Sequence, residues 1–490
     1  MAYTIPVHIL DNNSLLQIFR CYRMMEEEDN WYRRLTWRNL AHVCRRWRSI
    51  MHDSSSYLDL CLLLTNDSPS IHTPSHLPFL PLVIYHSDRT RTKAQKREDN
   101  VYVGLQQHDR VRRVVLQAPS LSLSRWLEPM NKGFPRLEVL SLLSTTIEET
   151  SLMLPETLQA PDLRRLALHG IGLQRGLTLL SSSIALSTMS LTHIRAPCYF
   201  PPGHLVTQLL SLPHLEELSI GFATFPSNQR EPLLVPIPPV TLPTLKALKR
   251  LTFQGVDVYL DNLVAQISTP LLERLGLTLF FDLTFTLVHL TEFIHRTERF
   301  RCLFAQFIFD KDGVSIETGY YERGVGKLSL LVNCGPLDWQ IDAAAQVCST
   351  LGAVISTVEV LTVDLYVDGM PSDWENTLDS TMWHELLLPF IGVTKLQIGS
   401  SLTAELSRAL KSVAGGCVLE LLPVLQEITV SLNIDHAKDA FSAFVEAREF
   451  VGCPVHLVDS PPLFRDTGRR RALIVRDRQA ENYTLILTGI

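Results

Sequence analysis

A phosphate-binding loop, a metal pair and a nucleophile set are the three kinds of chemistry that local residue spacing can reveal in this chain. The segment ERGVGKL at 322–328 ends in the Gly-Lys of a phosphate loop. Such a loop needs a second glycine five residues before Gly326, and Tyr321 stands there, so the backbone cradle for a phosphate is missing. His72 and His76 are four residues apart, the spacing of two ligands on one helix face, but Pro74 between them breaks such a helix. No His-Glu-x-x-His, no Gly-x-Ser-x-Gly and no Cys-x-x-Cys pair occurs. The nine cysteines, spread from Cys21 to Cys453, are too dispersed for a zinc set and read as reduced, mostly buried thiols. The sequence therefore predicts no catalytic, metal or cofactor residue, and function by protein–protein interaction.

Composition points the same way. Hydrophobic residues make up 46% and charged residues 20% of the 490, enough apolar material for a large core. Residues 1–113 carry 16 Lys and Arg against 12 Asp and Glu, whereas residues 114–460 carry 23 against 36. So acidic a central region is a poor surface for sequence-independent nucleic-acid binding, and no nucleic-acid partner is expected. The start lacks the basic and apolar regions of a secretory signal. The most apolar stretch, Leu275 to Leu290, is interrupted by Asp282 and His289, so no membrane partner is expected either. The expected setting is cytoplasm or nucleus.

The elements follow from periodicity. Leu15, Ile18, Phe19 and Tyr22 recur at helical spacing behind the capping run Asp11 to Ser14 and predict a helix over 11–22. Trp37, Leu40, Val43, Cys44, Trp47, Ile50 and Met51 form one stripe, which predicts a second helix over 36–52. From residue 58 the pattern changes, and Leu58, Leu60 and Leu62 alternate as in a strand. The segment 86–100 reads as an exposed charged linker and the Pro-rich 226–243 as a loop.

One phrase then recurs thirteen times at intervals of 21–35 residues: apolar, two residues, apolar, one residue, apolar. Clear copies are Val111/Val114/Leu116, Leu137/Leu140/Leu142, Leu163/Leu166/Leu168, Leu215/Leu218/Ile220, Leu272/Leu275/Leu277, Val358/Leu361/Val363, Val393/Leu396/Ile398 and Leu425/Ile428/Val430, with weaker ones at Phe304/Phe307/Phe309 and Val325/Leu328/Leu330. This is the strand half of a leucine-rich repeat, and helices are expected between copies, at 124–130, 261–267, 343–351, 402–413 and 440–451. Each unit buries its apolar face only against its neighbours, which predicts an α/β fold: a parallel sheet backed by helices, in a degenerate leucine-rich-repeat-like solenoid. The residue between the last two apolar positions points the other way. Those residues, Ser141, Ala167, Ser219, Thr252, Gly276, Thr362, Gln397 and Thr429, are mostly small and polar. The aromatic anchors that usually dominate an interface lie elsewhere, which makes Tyr199, Phe200, Phe222, Phe225, Tyr320 and Tyr321 the expected partner-binding residues, on connecting segments.

The N-terminus resembles an F-box, in the version found in a large family of fungal F-box proteins. HILDNNSLLQIF at 8–19 is similar to the family's first helix. The more specific match is LAHVCRRWRSIMHDSSSYLDLCL at 40–62, with its Val-Cys-x-x-Trp-Arg followed by a polar turn and alternating leucines. Later segments also look like that family, among them LPFLPLVI at 77–84, ISTVEVLTV at 355–363 and LLPVLQEITV at 421–430. The resemblance implies an F-box over 1–57, a repeat domain over 58–460 and a divergent tail over 461–490. It implies docking on a Skp-type adaptor, and through it on a cullin–RING ubiquitin ligase, with the repeats holding an unknown protein substrate. An interaction scaffold without ubiquitin ligation is the alternative, followed by a hydrolase hidden in the repeats. By position, Leu10, Leu15, Leu16, Phe19, Val43, Cys44 and Trp47 correspond to the F-box core and adaptor face. Where the family starts its first helix with Leu-Pro, this chain has Leu10-Asp11, and an aspartate starts a helix through its carboxylate.

Overall fold

The computed structural model describes residues 10–24, 37–65, 80–87, 98–146, 152–173, 178–195, 198–223, 242–280, 288–297, 300, 302–311, 313–319, 326–366, 380–414, 418–430 and 434–459. They fall into two compact units, one ending at Cys198 and the other beginning at Tyr199.

The first unit opens with three short helices, α1 (Asn12–Met24), α2 (Trp37–Val43) and α3 (Arg45–Asp53). The expected second helix is thus two helices. Cys44 between them is extended, its Sγ accepts from the Trp47 amide at 3.4 Å, and the chain restarts as α3. A side-chain acceptor at a helix start satisfies an amide that would otherwise lack a partner. Leu58 and Leu60 are buried but lie in a turn with Asp59 at φ 51°, so the strand begins only at β1 (Leu62–Leu64). There follow β2 (Leu82–Ser87), α4 (Glu98–Gln106), β3 (Val111–Ala118), α5 (Ser120–Leu127), β4 (Val139–Ser144) and the two-residue β5 (Leu152–Met153). After them come β6 (Arg165–His169), β7 (Ile171–Gly172), α6 (Thr178–Ser182) and β8 (Thr188–Ile194). The linker expected over 86–100 is therefore strand at His86 and Ser87 and helix from Glu98, with 88–97 outside the described residues. Strands β1, β2, β3, β4, β6 and β8 pair in that order, all parallel.

The second unit runs α7 (Pro202–Leu209), β9 (Glu217–Phe222), β10 (Arg250–Gly255), α8 (Asp257–Val264), β11 (Arg274–Phe280), α9 (Val288–Arg296), β12 (Phe304–Asp310), β13 (Gly313–Gly319) and β14 (Lys327–Asn333). It continues with α10 (Leu337–Thr350), α11 (Gly352–Ile355), β15 (Val360–Leu365), α12 (Ser380–Leu387), β16 (Lys395–Ile398), α13 (Thr403–Ala414), β17 (Glu427–Val430), α14 (Ile434–Phe450) and β18 (His456–Asp459). Its strand order is β9, β10, β11, β14, β13, β12, β15, β16, β17, β18.

The fold is therefore mixed α/β, a mostly parallel sheet backed by helices. The phrase explains why. Its first residue closes a tight turn before many of the strands: Leu137 N donates to Phe134 O, Leu163 N to Ala160 O, Leu272 N to Thr269 O and Val358 N to Ile355 O. Its last two residues point to the helical side, where Leu140, Leu166, Leu218, Leu275, Leu361 and Leu396 are all buried. Register keeps like with like, Leu140 beside Leu166 and Leu361 beside Leu396. Ion pairs lie across the strand starts, Lys249 on Glu216 at 3.0 Å and Lys395 on Glu427 at 2.6 Å.

The parallel expectation fails at β13, which is antiparallel to both neighbours. Asp310 and Gly313 make the turn, the Gly313 amide donating to Asp310 Oδ1 at 3.0 Å. Gly313 is at φ 155°, and a Cβ there would sit 2.0 Å from Val332 O. The chain thus doubles back through β13 and sets β14, not β12, beside β11. The repeat at β12 is also shifted by two residues. Ala305 and Phe307 pair with Leu361 and Val363, so Cys302 rather than Phe304 is the turn anchor.

Candidate functional site

The three N-terminal helices divide the expected adaptor residues into two groups. Asp11 Oδ1 accepts from Ser14 N at 2.7 Å and Oδ2 from the Ser14 hydroxyl at 3.2 Å, so the aspartate caps α1 as its sequence position predicted. These hydrogen bonds, led by the Ser14 amide, hold its carboxyl below the usual range. Leu15 and Phe19 are then carried into the interior with Ile50 and Met51. Trp47 is half-buried, its ring edge-on to Phe19 at 4.9 Å. Arg46 ties α3 to the start of α1 by donating to Leu10 O at 2.5 Å and Asn12 Oδ1 at 2.9 Å. Leu10 and Leu16 are half-buried and Cys44 is exposed. Val43 leaves 59% of its surface open, and on α1 Ile18 and Tyr22 leave 47% and 41%. The single helical stripe expected across Val43, Cys44 and Trp47 is therefore broken. The extended Cys44 turns Val43 outward while Ile50 and Met51 stay inside.

The partner-binding residues fare differently. Phe222 lies on β9 and is buried in an aromatic cluster, 4.8 Å from the Tyr259 ring and 6.1 Å from Phe253. It is core, because the strand extends further than the phrase. Tyr199 is half-buried, edge-on to Phe222 at 4.9 Å, and Phe200 O accepts from the Tyr259 hydroxyl at 3.0 Å. Phe225, Tyr320 and Tyr321 lie outside the described residues, as do His72 and His76 and the tail from 460.

The sheet face opposite the helices is less open than its small residues suggested. Ser141, Ala167, Ser219 and Thr429 are buried, while Thr252, Gly276, Thr362 and Gln397 are half-buried. Neighbouring strands lie about 4.8 Å apart, so side chains of one row cover each other, and Thr362 donates to Gln397 Oε1 at 3.1 Å. One feature of this face escaped the repeat pattern: His169 and His193 stack at 5.1 Å at the ends of β6 and β8.

Among the described residues no three His, Cys, Asp or Glu gather as a metal set, and no helix is long and apolar enough to cross a membrane. Eight cysteines are described, none of them in a disulfide, and four of them are buried, fewer than expected. Burial pushes the thiols of Cys302 and Cys334 up, Cys334 to about 11, the opposite of an activated nucleophile. Lys327, from the phosphate-loop-like segment, starts β14 and pairs with Glu317 at 3.2 Å. No protein-family model matches the chain, and no curated protein is significantly similar to it.

Proposed function

We propose that this chain is a non-catalytic substrate receptor of an F-box type. Its N-terminal helices dock on a Skp-type adaptor that leads to a cullin–RING ubiquitin ligase, and its repeats, a degenerate leucine-rich-repeat-like solenoid, hold the target. The observation that carries the reading is the exposed apolar set Ile18, Tyr22 and Val43 on α1 and α2, around an interior built on Leu15 and Phe19. Exposed apolar groups on short helices are the material of helix-in-groove docking. They fall within the phrases that resemble an F-box. The repeating turn and matched register support the solenoid.

The test is co-purification with a Skp-type adaptor. Val43→Asp places a charge on an exposed position, so the fold is expected to survive and adaptor capture to fall about tenfold or more. Trp47→Ala is the poorer variant, because Trp47 also packs on Phe19. Undiminished capture by Val43→Asp would overturn the docking assignment. Capture of the adaptor without a cullin would leave a scaffold without ligation.

A further inference from the structure

Strand β18 ends the strand order of the second unit and pairs, among the described residues, with β17 alone. The His456 amide donates to Gln426 O at 2.8 Å, and along a strand the backbone groups of alternate residues point to opposite sides. Those of His456 and Val458 therefore face β17, and those of Leu457 and Asp459 face the outer edge. Open edges are commonly guarded by lysine, proline or a bulge. His456–Asp459 holds neither residue, its register with β17 runs without a shift, and Val458 leaves 41% of its surface open.

Helix α14 packs behind this strand and carries charge beside its edge. Asp439, Ser442, Glu446 and Glu449 recur at i, i+3, i+7 and i+10 as one exposed stripe, with Lys438 next to it. The half-buried Ala440, Ala443 and Ala447 form the side suited to close packing on α13, which leaves the acids on the terminal side. Arg448 does not offset them, because its guanidinium is turned inward onto Pro423 O and Leu425 O, both at 3.0 Å. Phe450, at the end of the helix, leaves 93% of its surface open.

We propose that the outer edge of β18 takes an extended protein segment of alternating apolar and basic residues, added to the sheet as one more strand. Leu457 is in register with the buried Ile428 and so points to the helical side. An incoming residue beside Leu457 lies on the α14 side, where a lysine or arginine meets Glu446 and Glu449. Its neighbours lie on the other face, where an apolar side chain covers Val458. In strand addition of this kind main-chain hydrogen bonds supply affinity and alternate side chains supply specificity. The acidic stripe favours a basic segment and repels a second copy of the same helix. The site rests on the receptor reading, for which it names the chemistry of the target. Peptide binding and adaptor capture are separate measurements, so each can fail alone.

The experiment is calorimetric titration of the full chain with three capped peptides of alternating residues: lysine–valine, glutamate–valine and lysine–serine. The lysine–valine peptide is expected to bind saturably, and the other two about tenfold more weakly or less. Glu446→Lys with Glu449→Lys changes two exposed positions, so the fold is expected to survive while the preference switches to the glutamate–valine peptide. Asp459→Pro removes an outward amide and is expected to weaken binding several-fold. Absent binding of the lysine–valine peptide overturns the proposal, as does equal binding of either other peptide. So do an unchanged preference in the double variant and undiminished binding by Asp459→Pro. Binding that appears only after residues 460–490 are removed overturns it in favour of the chain's own tail. A dimer broken by Asp459→Pro, without peptide binding, overturns it in favour of a second copy.

Discussion

At Asp11 a single side chain starts α1. The carboxylate satisfies the Ser14 amide at 2.7 Å, one of the donors a helix start leaves open, and that bond lowers its pKa. The sign of the pH dependence follows. A carboxyl whose folded pKa is depressed contributes stability above its unfolded pKa and loses it as pH falls through the folded one. Asp11→Ala is expected to fray α1, read as faster amide exchange at Leu15 and Leu16 at neutral pH. Asp11→Asn keeps an acceptor and is expected to preserve protection while abolishing its loss below about pH 4. Equal exchange in wild type and Asp11→Ala would show that tertiary packing alone holds the helix.

Among the elements, the hairpin β12–β13 is the main departure from what periodicity predicts, although its signal was present. Asp-Lys-Asp-Gly at 310–313 separates two alternating runs, which is a hairpin signature. The repeat phrase, matched at Phe304/Phe307/Phe309, claimed the first run and hid the turn. Gly313→Ala tests the hairpin. A Cβ there would meet Val332 O at 2.0 Å, and the φ of 155° is closed to alanine. The expected cost is about 2–4 kcal/mol in chemical denaturation, with lost exchange protection centred on β13 and β14. A cost under about 0.5 kcal/mol would mean that the turn is not built this way. The other elements were legible wherever three apolar positions had to be buried together, because stacking leaves Leu140, Leu166 and Leu361 no other place to go. Helix starts were less legible. Pro119 and Pro336 stand at the N-caps of α5 and α10 and Pro202 opens α7, so α5 and α10 start earlier than apolar periodicity alone placed them. The candidate site was legible only in part. Spacing identified Leu15 and Phe19 as interior, but the break at Cys44 that exposes Val43 depends on one extended residue. The His169 and His193 stack depends on a backbone angle that no residue pattern records.

For the molecule as a whole, the proposed solenoid implies that stability is stored locally. Each inner strand pairs with a neighbour on either side, the arrangement in which the energies of stacked units sum over nearest-neighbour interfaces. The two compact units each have a buried interior of their own, on Leu166 and its row in one and on Leu396 and its row in the other. Leu166→Ala and Leu396→Ala each remove a fully buried side chain from a parallel strand, at an expected cost of about 2–5 kcal/mol. A single cooperative domain would spread either loss over every amide. In a nearest-neighbour array the loss stays near its source. Native-state hydrogen exchange is therefore expected to show Leu166→Ala lowering protection in β4, β6 and β8 while β15, β16 and β17 keep theirs, with the reverse for Leu396→Ala. Uniform loss in both variants would refute local storage.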